Sequence, residues 1–121
     1  MPRSAPLLLT LLLLSPAEQA DALELVMVEQ AGCAWCARWN AEVAPIYPLT
    51  EEGKAAPLRR IDLFAPVPED LTLDSPPRFT PTFILVEEDG REIGRIEGYP
   101  GEEFFWPLLG ELLEREEGEG D

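Results

Sequence analysis

The chain has 121 residues and a formal net charge of -15, with 24 acidic side chains, 9 basic ones and no histidine. An acidic excess of this size argues against nucleic-acid and anionic-membrane binding, since both need a cationic surface. Without histidine there is no Ser–His or Cys–His nucleophile and no imidazole metal ligand; the 2 cysteines make half of a four-thiolate zinc site, so neither metal nor cofactor is expected.

The N-terminus has the order of an export signal: Arg3, the apolar run Leu7–Leu14, the breakers Ser15 and Pro16, then the small residues of Ala20-Asp21-Ala22. The run is too short to span a bilayer as a helix. Cleavage is expected after Ala22, with Ala20 the alternative; a buried leucine helix or an uncleaved anchor is the competing reading. Removing residues 1–22 takes away Arg3, Glu18 and Asp21, so 99 of the 121 residues remain and the charge becomes -14. That length suits one compact domain, expected over residues 23–116.

Leu23–Glu29 reads as a first strand, apolar enough for a central position buried on both faces. Gln30-Ala31-Gly32 turns into Cys33-Ala34-Trp35-Cys36. Helix-forming residues then run to about Val43, with Trp39 and Val43 four apart, and Pro45 and Pro48 end or kink the helix. Pro57–Asp62 is a second, short strand. Residues 65–77, rich in proline and acid, form an ordered crossover loop with room for at most one helical turn near Glu69–Leu73. Thr82–Val86 is a buried strand. Asp89-Gly90 marks a hairpin, and Arg91–Glu97 returns as an edge-like strand with a bulge at Gly94. Phe104, Phe105, Leu108, Leu109, Leu112 and Leu113 give the apolar stripe of a final helix over Glu102–Glu116, bent by Pro107. Residues 117–121 are an acidic, frayed tail. The expected order is β-α-β-β-β-α, with the middle helix reduced or missing.

The cysteine pair carries the chemistry. Its spacing closes a reversible disulfide within one helical turn, and a helix N-terminus favours a thiolate there. Cys33, at the helix start, is the expected attacking nucleophile; Cys36, one turn inward and more buried, resolves the mixed disulfide. A fixed structural staple is the alternative, but so small a loop removes little unfolded-state entropy. Trp35 offers an apolar docking surface. If the Thr80–Pro81 bond is cis, the Thr80 backbone presents its N–H and C=O to an extended partner segment.

Cys-x-x-Cys after a buried strand, Thr80-Pro81-Thr82-Phe83 entering a later one, the Asp-Gly hairpin and the closing amphipathic helix together resemble the thioredoxin superfamily. The resemblance spans residues 23–116 and implies an α/β, thioredoxin-like fold: a four-stranded mixed sheet flanked by helices. It places the catalytic pair on Cys33 and Cys36 and the cis-proline on Pro81. Val28–Cys36, Pro45–Thr50 and Gly94–Tyr99 further resemble the SoxS-type periplasmic thioredoxins of bacterial sulfur-oxidation clusters. That likeness implies a periplasmic reductant that keeps a cysteine of the sulfur-carrier complex active, fed by a membrane thiol transporter. Two features depart from general thioredoxins: Ala34-Trp35 stands for their Gly-Pro, and Met27 for a buried aspartate that assists the resolving cysteine. Glu29 is the nearest carboxylate and the candidate proton acceptor; a solvated strand-end glutamate is the plainer reading. A disulfide oxidase or isomerase, and a non-catalytic binding module on the same fold, are the competing functions.

Overall fold

The computed structural model describes residues 3–6 and 22–119. The elements are β1 (Glu24–Glu29), α1 (Ala34–Glu42), a 3-10 turn (Tyr47–Leu49), α2 (Glu51–Ala55), β2 (Leu58–Asp62), β3 (Thr82–Val86), β4 (Glu92–Glu97) and α3 (Glu102–Glu119). The expected export signal lies outside the described residues except for 3–6 and 22. Of the expected tail, residues 117–119 continue α3, while 120 and 121 lie outside the described residues.

The strands form one mixed sheet in the order β2-β1-β3-β4. β1 runs parallel to β2 and antiparallel to β3, which is antiparallel to β4. Leu25 to Val28 are fully buried, as a central strand requires. Alternation sends Leu25 and Met27 to one face, where Phe83, Leu85, Trp39, Phe105 and Leu109 complete the main core. Trp39 anchors it, with ring centroids 5.0 Å from Phe83 and 5.8 Å from Phe105. Val26 and Val28 point the other way, to Ile84, Val86 and Leu71. Thus α1 and α3 pack one face, and the second is covered by the crossover rather than by a helix.

Prolines 66, 68, 76 and 77 keep that crossover from becoming helical. The expected helical turn near Glu69–Leu73 is a single hydrogen-bonded turn, Leu71 N–H to Pro68 O at 3.0 Å. Thr72 then lies parallel to the outer edge of the sheet: its N–H donates to Gly90 O at 2.9 Å, and its carbonyl accepts from Glu92 N–H at 3.1 Å. Arg59 grips Asp70 through two bonds, 2.6 and 2.9 Å. The Glu92 carboxylate accepts from Asp74 N–H at 3.0 Å and from Arg95 at 2.6 and 2.8 Å, while Arg95 also donates to Ser75 O at 2.8 Å.

Two details differ from the sequence reading. The irregularity in β4 leaves Ile93 out of register, next to Gly94 rather than on it. Gly94 serves close packing instead: a β-carbon there would meet Leu112 Cδ2 at 2.6 Å. The helix α2 was not expected. Thr50 caps it, accepting from Gly53 N–H at 3.0 Å and donating to Tyr47 O at 2.7 Å. Gly53 lies against the Tyr47 carbonyl with no space for a β-carbon.

Candidate active site

The site forms where the C-terminal end of β1 feeds α1. Gly32, at φ 76°, makes the turn that only glycine takes easily. Cys33 follows in extended conformation (φ -81°, ψ 104°) as the N-cap of α1, and its Sγ accepts from Cys36 N–H at 3.1 Å. Cys33 and Cys36 are joined in a disulfide. Cys33 is half-buried, whereas Cys36 is only 4% exposed and belongs to the main core. One sulfur of the pair is therefore open to an incoming group and the other is shielded.

Opposite stands the Thr80–Pro81 loop, whose peptide bond is cis. Pro81 is buried, Thr80 partly so. Gln30 Nε2 donates to Thr80 Oγ1 at 2.6 Å, tying the cysteine loop to the proline loop. Gly98 N–H donates to Pro81 O at 2.7 Å and holds the end of β4 there as well. Neither bond is readable from local sequence, because each joins segments far apart in the chain.

Two recesses adjoin the cysteine motif, one lined by both cysteines and the other by Trp35 between them. Glu29, Gln30, Asn40, Cys33 and Cys36 line the first. Glu29 shares it with the cysteines, but its carboxylate is bonded to Arg60 at 2.6 Å. Arg60 reaches there across buried Met27 and lies 5.9 Å over the Trp39 ring. Asn40 Oδ1 is buried beside this recess without a partner among the described residues. Asn40 is one turn beyond Cys36 on α1, a placement the helical spacing would have revealed. Among the described residues no cluster of cysteine or carboxylate ligands is assembled that would hold a metal ion.

The second recess, of about 280 Å³, lies between Trp35, Thr80, Glu97, Gly98, Tyr99 and Pro100. Trp35 is 54% exposed. The Arg38 guanidinium covers its ring at 5.4 Å, and Arg38 bonds Glu42 at 2.6 Å. Tyr99 OH donates to the other Glu42 oxygen at 2.9 Å. These bonds, first from Arg38 and then from Tyr99, hold the Glu42 carboxyl below its ordinary pKa. Burial, followed by the bond to Glu42, pushes Tyr99 up to about 12. Phe64, after β2, and Phe79, just before Thr80, are exposed.

A redox disulfide on a helix N-cap, faced by a proline loop on a four-stranded mixed sheet, is the arrangement of a thiol–disulfide oxidoreductase of thioredoxin type. The thioredoxin-like domain family matches residues 14–113. The crystal structure of the periplasmic thioredoxin SoxS from Paracoccus pantotrophus, in its reduced form, superposes with a TM-score of 0.74 and 55% sequence identity, covering 77% of this chain and 97% of that one. The chain belongs to the thioredoxin-like family, on its SoxS-type branch. No curated protein sequence matches it significantly.

Proposed function

We propose that this protein is an exported, periplasmic dithiol reductant. Its substrate is a protein cysteine held in a disulfide or capped by a small thiol, and its partner is the sulfur-carrier complex. The observation that carries this reading is the asymmetry of the pair: Cys33 is accessible at the N-cap, and Cys36 is buried beneath it. The printed name of the Paracoccus pantotrophus neighbour, a periplasmic thioredoxin, supports the compartment and the class.

In the reduced protein, the Cys33 thiolate attacks one sulfur of the substrate disulfide. The new S–S bond joins Cys33 to the substrate, and the departing sulfur leaves as a thiolate and takes up a proton. Cys36 then loses its proton and attacks Cys33 Sγ, releasing the substrate cysteine as its thiolate. Two electrons have passed to the substrate, the two released thiolates take up protons from solvent, and the Cys33–Cys36 disulfide remains. A dithiol of a membrane thiol transporter returns the electrons by the same exchange. The Cys36 N–H that meets Cys33 Sγ at 3.1 Å stabilises the thiolate. Glu29, in the recess shared with Cys36, is the acceptor for the Cys36 proton once its Arg60 bond loosens. Trp35, Thr80 and Pro81 bind the substrate segment, with the Thr80 backbone pairing to it as a short strand.

The test is a Cys36→Ser variant expressed with an intact export signal. It should retain a partner disulfide-bonded to Cys33, identified by mass spectrometry as a sulfur-carrier subunit. Recovery of no adduct removes the reading. The pair should also equilibrate near the roughly -270 mV of thioredoxin; a value near about -120 mV would make it an oxidant instead.

A further inference from the structure

The second recess has a composition that neither the disulfide chemistry nor the packing requires. Two aromatic rings, Trp35 and Tyr99, form its sides, and Glu97 stands at its rim. Glu97 is exposed at the end of β4, paired across the sheet with Thr82. No cation comes within ion-pair distance of it among the described residues. Arg95, two residues back on the strand, senses its charge but is bonded to Glu92 and Ser75. Arg38 is bonded to Glu42. The carboxylates of Glu42 and Glu102 also act on Tyr99, and the two nearby guanidiniums, Arg38 and Arg95, are committed to Glu42 and Glu92. Aromatic faces beside an unpaired carboxylate are the surroundings that a cationic side chain seeks.

We propose that this recess selects substrates carrying a lysine or arginine beside the target cysteine, with Glu97 as the specificity-determining residue. This rests on the oxidoreductase reading above. A segment paired to the Thr80 backbone with its sulfur at Cys33 must lay a flanking side chain over the space between Trp35 and Tyr99. A basic side chain there meets the Glu97 carboxylate beside the exposed Trp35, whereas an acidic one meets like charge. The charge of -14 that remains without residues 1–22 draws the same class of partner from a distance.

The experiment uses three peptides that differ only in the residue next to a cysteine, Lys, Gln or Glu, each disulfide-linked to a fluorescent thiol. Second-order rates with the reduced protein are read by stopped flow at roughly 10 mM and 500 mM salt. The expected order is Lys, Gln, Glu, with about a tenfold span at low salt that contracts at high salt. Glu97→Gln should collapse the span to about twofold, and Glu97→Lys should invert it. Glu114→Gln, which removes the same charge from a distant exposed position on α3, should leave the span intact. Equal rates for the three peptides, or a span that survives Glu97→Gln, would overturn the proposal. Failure of every peptide to react, with folding verified, would instead remove the oxidoreductase reading and this proposal with it.

Discussion

Glu92→Gln tests whether the crossover is clasped to the sheet as described. The Glu92 carboxylate is 3% exposed and its Arg95 partner 13%. It accepts three hydrogen bonds, two from the guanidinium and one from Asp74 N–H. Burial opposes the charge, but the bonds from Arg95 and Asp74 outweigh it, and Glu92 remains below its ordinary pKa. A glutamine keeps one accepting oxygen and turns an NH2 toward donors. Losing a buried charged partner costs about 3–5 kcal/mol when nothing replaces it. Here Arg95 keeps Ser75 O and some access to water, which brings the expectation to about 2–3 kcal/mol. Against a domain stability of about 5–15 kcal/mol, that is a large fraction. In the oxidised protein the urea midpoint, followed by tryptophan fluorescence, should fall by about 1–2 M at unchanged slope. A shift under about 0.3 M, or full additivity of Glu92→Gln with Arg95→Gln, would refute the clasp.

Two further predictions concern single groups. Tyr99 is raised from its ordinary value to about 12, so its contribution to stability is complete below pH 10 and is lost as pH climbs from there toward 12. Urea titrations across that range should show wild type losing stability faster than Tyr99→Phe; parallel curves would contradict the burial of the Tyr99 hydroxyl and its bond to Glu42. Gly53→Ala improves helix propensity by about 1 kcal/mol, yet its β-carbon overlaps the Tyr47 carbonyl, which Thr50 holds in place. Net destabilisation of about 1–3 kcal/mol is expected in the same assay, and a variant as stable as wild type would disprove the contact.

Much of the architecture was legible because it is encoded locally. The apolar run of β1, the Asp89-Gly90 turn and the Phe105, Leu109, Leu112 stripe each declare an element by period or turn chemistry. Cys33 and Cys36 stood out because they are the only cysteines. What escaped is non-local or very short. The five residues of α2 contain a glycine and no apolar period, and its signal was only Thr50 followed by Glu51 and Glu52. The bonds from Gln30 to Thr80 and from Glu42 to Tyr99 join residues 50 and 57 apart. Glu97 looked like any strand-end acid until the fold set it beside Trp35.

The crossover along β4 has a consequence for self-association. An open sheet has two edges, and each offers unpaired N–H and C=O groups to any stray strand. Thr72 occupies the start of the β4 edge, in a segment whose prolines cannot extend a ladder. The β2 edge carries Arg59, Arg60 and Asp62, whose charges discourage stacking of another chain. Both edges of the sheet are thus largely denied to other chains. Clearing either guard, by Thr72→Pro or by neutralising the β2 arginines, opens a route from transient docking to aggregation.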